Sequence, residues 1–312
     1  MFIGILAACG TLFSWSFGTL SFLNASRRID PGLLNRTRLL LAVGATLVLA
    51  CFTMQVWPWA LITESGPGQW LWLGISGIVG LSIGDLFGFT SLRILGARRQ
   101  SVVGTSAPAA AAIAAYFLLG ESLTITDIIG MTLSIVGVMY AMSAIEERSE
   151  VSREGYGTFT TGVLLAIGGA VCQGAGLVLA KIGLQSDGGN VSPFHATFMR
   201  MSVGFVATYV LDIIRRAPHR PLREAFVDKK GARAMYAGTL FGPIIGVTCS
   251  LIAAAHLDVA VAQTIFSLVP FVVMAITTVV HKEPLHWRSV LGAAIAVIGV
   301  VILVVTSYVT SY

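Results

Sequence analysis

Apolar residues run along the chain in long blocks separated by short polar breaks. A helix that spans a bilayer needs about 20 mostly apolar residues. Ten blocks meet that length, roughly 2–24, 32–55, 69–94, 98–119, 126–144, 159–184, 193–214, 232–255, 259–280 and 287–308. Blocks three and four are parted only by Gly96 and its neighbours, and blocks eight and nine only by the turn around His256–Asp258, so both hairpins are tight. The pattern predicts an all-α integral membrane protein with ten transmembrane helices.

The blocks repeat with a constant offset of 162 residues and no gap. Pro31 recurs as Pro193, Arg38 as Arg200, Gly80 and Gly84 as Gly242 and Gly246, and Pro108 as Pro270. Glu121 recurs as Glu283, and Gly130 and Gly137 as Gly292 and Gly299. A duplicated apolar chain is the signature of a secondary transporter whose repeats enclose a site near the midplane. The expected division is a first five-helix repeat over 1–144, a charged linker over 145–158 and a second five-helix repeat over 159–312.

The polar breaks set the orientation. Those after blocks one, three, five, seven and nine carry Arg27, Arg28, Arg98, Arg99, Arg148, Arg153, Lys282 and the basic run between Arg215 and Arg233. Those after blocks two, four, six and eight carry no Lys or Arg, although Lys181 lies near the end of block six. By the positive-inside rule the odd-numbered loops are cytoplasmic and both termini lie outside. Five helices per repeat is an odd number, so the two repeats are inverted with respect to each other.

Composition narrows the class. Hydrophobic residues make up 55% of the chain and charged residues 11%, and the mean hydropathy is +0.83. Soluble proteins average about 25% charged residues. The net charge of +5 reads as cytoplasmic loop charge, and no segment is large enough for a nucleic-acid-binding domain. Cys9, Cys51, Cys172 and Cys249 all lie in apolar stretches without a CxxC or Cys/His cluster, so buried free thiols are expected, with no metal and no cofactor. The first block lacks a basic n-region and reads as a retained helix. No GxSxG, HExxH, Walker A or GxGxxG occurs in the strand–helix setting its chemistry requires.

Asp85 is the most pointed single residue. A carboxylate at the bilayer centre costs about 2.5–3.5 kcal/mol, and its repeat counterpart is Val247, so the duplicated scaffold does not require it. Two functional roles fit, a proton site for coupling or a counter-charge to a substrate ammonium. A structural role, hydrogen-bonded to helix backbone or paired with an Arg, fits as well. Trp15, flanked by Ser14 and Ser16, and Gln173 lie mid-helix in the first helices of the two repeats, where they can line a cavity. Lys181, Tyr116, Gln263 and His195 are weaker candidates near helix ends.

Pro108 and Pro270 each kink or open a helix and lie 13 residues before Glu121 and Glu283, about 20 Å away along the helix. By depth, Arg38 falls level with Glu283 and Arg200 level with Glu121. Crosswise pairs Arg38–Glu283 and Arg200–Glu121 are therefore expected, as gates or as static ties. Arg36 has no counterpart and fits a snorkelling role. The glycine seams of blocks five and ten, Gly130/Gly137 and Gly292/Gly299, predict close packing on a neighbour and a lipid-facing position.

Two runs carry a family resemblance. They are Ser91, Leu92, Gly96, Ala97, Pro108, Leu119 to Leu123, Gly130 and Gly137, and then Leu257, Pro270, Lys282 to Leu285, Gly292 and Gly299. With Trp15 in the first helix, the chain resembles a ten-helix, EamA-type member of the drug/metabolite transporter superfamily. The resemblance implies two repeats, a central cavity lined by helices one to four and six to nine, alternating access, and small-metabolite substrates such as amino acids or nucleosides, often exported. The expected protein is thus a multi-pass carrier of the inner (plasma) membrane. Its partners are a small-molecule substrate, the lipid bilayer and, through Asp85, protons; monomer and homodimer both remain open. A flippase for lipid-linked substrates is the alternative, ahead of a membrane enzyme or a channel.

Overall fold

The computed structural model describes residues 2–63, 65–119, 125–144, 157–188, 191–216, 220–257, 262, 265–282 and 286–310. The elements it describes are helical. They are α1 (Phe2–Ser26), α2 (Pro31–Met54), α3 (Pro67–Leu95), α4 in two pieces (Ala97–Gly104 and Ala107–Leu119) and α5 (Ile125–Ala144). After the linker follow α6 (Phe159–Gln185), α7 (Pro193–Ile214), α8 (Lys229–His256), α9 (Val269–His281) and α10 (Trp287–Thr310). Seven of these described helices, α1 to α4 and α6 to α8, are long and apolar enough to cross a membrane. The shorter apolar stretches Ile128–Ala141, Val269–Val280 and Trp287–Ile302 fall in α5, α9 and α10. The expected ninth block begins ten residues before α9 does, and residues 258–261, 263 and 264 lie outside the described set.

Local chemistry sets the helix starts. Pro31 occupies the first turn of α2, where its missing N–H costs nothing, and the Asp30 carboxylate accepts from the backbone N–H of Gly32 and Leu33. Gly96, at φ 80°, makes the tight corner between α3 and α4 that a side chain would oppose. Both repeated prolines stand just inside a helix that starts afresh. Pro108 follows the break at Thr105 and Ser106, and Pro270 follows the turn at Ser267 and Leu268.

The packing obeys the repeat and interlocks the halves. Helix α1 packs on α8 of the second half, and its counterpart α6 packs on α3 of the first. Helices α2 and α7 pack on each other, as do α5 and α10. Lipid tails are as apolar as leucine, so such contacts rest on close packing more than on burial. The α5–α10 seam shows how close. A Cβ on Gly137 would sit 2.4 Å from the Ala296 nitrogen, one on Gly292 2.4 Å from the Ala141 nitrogen, and one on Gly299 2.5 Å from the Ser134 nitrogen. The two glycine seams read from the sequence meet each other. Side chains facing away from the bundle are apolar and bare, among them Phe52, Phe117 and Ile125.

Both third helices contain a π-helical stretch at their repeated glycines, Gly77–Gly84 in α3 and Leu240–Gly246 in α8. Such bulges re-aim side chains and displace carbonyls from the regular ladder, and they concentrate at functional sites. The first is followed directly by Asp85 and the second by Val247.

A candidate substrate cavity at the interlocked core

A cavity of about 220 Å³ lies where the halves interlock. Its described lining comes from α1 to α4 and α6 to α9, with none from α5 or α10. Two kinds of surface meet there. One is aromatic, from Trp15, Phe22, Phe89 and Phe266; the Trp15 and Phe266 rings lie 5.1 Å apart, and those of Phe22 and Phe89 lie 4.8 Å apart. The other is polar, from Arg38, Asp85, Gln173 and Arg200.

The polar side is built on the first π stretch. Asn35 and Arg38 lie one turn apart on α2 and address the carbonyls of that stretch. Asn35 Nδ2 donates to the Ser82 carbonyl at 2.9 Å, and Arg38 Nη2 donates to the Leu81 carbonyl at 3.1 Å. Asn35 Oδ1 in turn accepts from Arg38 Nε at 3.1 Å and Nη2 at 2.8 Å. The guanidinium lies 5.0 Å from the Phe89 ring centroid and 5.8 Å from that of Phe22. Thus oriented, Arg38 forms an ion pair and hydrogen bond with the Asp85 carboxylate, Nη2 to Oδ2. The other carboxylate oxygen accepts from Gln173 Nε2 of α6 at 3.1 Å. Asp85 is held from both halves of the chain.

Arg200, the repeat counterpart of Arg38, is just as buried at 4% exposed. Among the described residues it has no such frame. Its Nε is buried without a hydrogen-bond partner, and no described carboxylate forms an ion pair with it. Asp85 acts on it only through space. Close backbone contact fixes its place, because a Cβ on Gly77 would lie 2.3 Å from the Arg200 carbonyl oxygen. Among the described charged groups lining the cavity, two are cations and one is an anion. An arginine at the centre of a membrane-spanning helix costs about 2.5–3.5 kcal/mol on insertion scales.

The structure brings Trp15, Asp85 and Gln173 to one cavity, together with Arg38, Arg200, Pro108 and Pro270. Ser14 stands apart, because its hydroxyl donates to the Phe241 carbonyl at 2.7 Å and ties α1 to α8. Arg38 pairs with the Asp85 carboxylate; Glu283 and Glu121, the expected crosswise partners of Arg38 and Arg200, lie outside the described residues, as does Gln263. Arg36 does not snorkel but pairs with Asp212 at 2.6 Å. His195 Nε2 bonds the Leu61 carbonyl at 2.7 Å, away from the cavity, and Tyr116 is exposed on the outer surface. Sequence reasoning missed Asn35, whose signal was its spacing of three from Arg38 on one helix face. It also missed Arg98, which donates from Nε to Thr277 Oγ1 at 2.6 Å and from Nη2 to Thr278 Oγ1 at 2.9 Å, joining α4 to α9.

The EamA-like transporter family matches the chain twice, over residues 2–143 and 160–305. The chain belongs to the EamA-like transporter family. It is therefore a multi-pass membrane protein of a transporter family, and the two matched stretches fall on either side of the charged linker. No curated protein matches it. A solved protein crystal structure aligns over 99% of this chain and 99% of its own, at a TM-score of 0.65 and 18% identity, which shows a shared fold. In this EamA-like protein the polar lining of the cavity joins residues unique to one half, Asp85 and Gln173, to the repeated pair Arg38 and Arg200.

Proposed function

We propose that the protein is a secondary carrier that moves a small metabolite outward across the inner membrane by alternating access. One observation carries this reading. A cavity lined from both halves holds a cluster of charged and amide groups, Arg38, Asp85, Gln173 and Arg200, inside the helical bundle. Polar groups this expensive inside a bilayer mark a substrate or ion path. The halves are residues 1–144 and 159–312, five helices each, inserted with opposite orientation and both termini outside. The charge asymmetry of the loops supports that arrangement. The halves rock about the cavity, with the proline-broken helices α4 and α9 as moving parts and Arg98 as a tie between them. Asp85 organises the site through Arg38 and Gln173, and its protonation is the route by which protons couple to transport.

Purified protein in proteoliposomes, preloaded with members of a metabolite library, should exchange one solute class by counterflow. Asp85→Asn, compared per folded protein across pH, should flatten the pH dependence. Wild-type exchange by that variant at every pH removes the coupling role. Absence of counterflow for every solute, with tightly copurifying lipid, favours a flippase instead.

A further inference from the structure

The charge of the cavity goes further than the existence of a carrier. Asp85 is the only described carboxylate lining it, and both of its oxygens are engaged, one by Arg38 and one by Gln173. Among the described lining residues a substrate ammonium finds no carboxylate that is not already ion-paired. Arg200 is the reverse case, a buried guanidinium with an unpartnered Nε and no ion pair among the described residues, in the wall of the same cavity. Arginine presents a planar fork that matches a carboxylate in two parallel hydrogen bonds. The described lining carries one surplus positive charge. A carboxylate balances it, whereas a phosphate monoester brings about −1.5 to −2 at neutral pH. In the same lining, the packed Trp15 and Phe266 rings offer an apolar face to the rest of the molecule.

We infer that this cavity selects organic monocarboxylates with an apolar or aromatic body, seated by the carboxylate on Arg200, over amines and zwitterionic amino acids. This rests on the carrier reading and narrows its substrate. It replaces the role of counter-charge to an ammonium that the sequence alone allowed for Asp85.

The test uses four probes with one phenyl body: hydrocinnamate, phenethylamine, phenylalanine and phenyl phosphate. Each is assayed by thermal shift on the wild-type protein in detergent and by counterflow in proteoliposomes. Hydrocinnamate should raise the unfolding midpoint and exchange, and the other three should do so far less. Arg200→Gln should bind hydrocinnamate roughly 10- to 100-fold more weakly, the loss expected for a hydrogen-bonded charged contact, while remaining folded. Arg200→Lys, which keeps the charge but not the fork, should fall between. Preference for the amine, the amino acid or the phosphate overturns the inference, as does full hydrocinnamate binding by Arg200→Gln. The wild-type panel decides even if a variant fails to fold. Binding of the acid without counterflow fails the carrier reading and leaves the site standing. Counterflow of the amine alone does the opposite.

Discussion

Arg38 and Arg200 occupy the same position in the two halves and have opposite surroundings. Each sits on the second helix of its half, near a π stretch of a third helix, and each is nearly inaccessible. Arg38 has Asn35, the Leu81 carbonyl and Asp85. The corresponding residues for Arg200 are Thr197, Pro243 and Val247, and no ion pair forms among the described residues. Duplication supplied two equal cations, and the divergence of a few neighbours satisfied one of them. In a membrane interior this separates a charge paired within the described residues from one that, among them, has no ion-pair partner and is free to take one from a substrate under the proposed reading.

The largest expected effect comes from breaking the satisfied side. Asp85→Asn leaves Arg38 buried without its anion, and breaking such a pair from one side costs about 3–5 kcal/mol. The unfolding midpoint in detergent should fall steeply, and adding Arg38→Gln should restore much of it, because both charges then leave together. Arg200→Gln, by contrast, should leave the midpoint level or raise it. Equal losses for Arg38→Gln and Arg200→Gln would erase the distinction between the two arginines.

The α5–α10 seam is the control, a region where the halves are equivalent in both position and contact. Gly137 and its counterpart Gly299 each face backbone of the opposite helix, at 2.4 Å and 2.5 Å from where a Cβ would stand. Gly137→Ala and Gly299→Ala should each cost about 1–3 kcal/mol, the range for overpacking, and the two losses should agree. The helices must part along their whole length to admit either methyl. Neither change touches the cavity, so solute binding per folded protein should be unaltered. A loss at one glycine without the other would mean that the seam, too, has diverged.

That contrast explains what was legible in the sequence. Block length and the 162-residue offset give the helices, their order and the glycine seam, because these depend on periodicity and residue size alone. Trp15, Asp85 and Gln173, the cavity candidates of the sequence, differ from their repeat counterparts Leu177, Val247 and Thr11, and all three line one cavity. Arg200, which repeats Arg38, reads from the sequence instead as a gate or a static tie. A repeated residue can still be exceptional when its partner is the part that fails to repeat. That Arg38 pairs with Asp85 depends on direction around the helix axis, which sequence gives poorly, as well as on depth along it. The π stretch before Asp85 changes that direction, and its only sequence signal was the repeated glycine pair.

The smallest effect concerns how the third helices are anchored, where the two halves reach one end by different means. At the start of α3, Asp187, just beyond α6, accepts from the Gln69 backbone N–H at 3.0 Å. At the start of α8, Asp228 caps its own helix, accepting from Lys230 at 2.8 Å and Gly231 at 3.1 Å, and Arg28, just beyond α1, donates to it at 2.9 Å. Both arrangements bind the end of a first helix to the start of the third helix packed on it. The Arg28 hydrogen bond, followed by that from Gly231, holds the Asp228 carboxyl below the ordinary aspartate value of 3.8. A lowered folded value means that the clamp contributes fully above the unfolded value and fades as pH falls through the folded one. Asp228 is exposed, so the contribution is small and salt screens it. The midpoint difference between wild type and Asp228→Asn should therefore be constant from neutral pH down to about pH 5, shrink below that, and narrow with added salt. A difference that grew on acidification would mean that the carboxylate opposes the fold at this end, and that α8, unlike α3, is held without its cap.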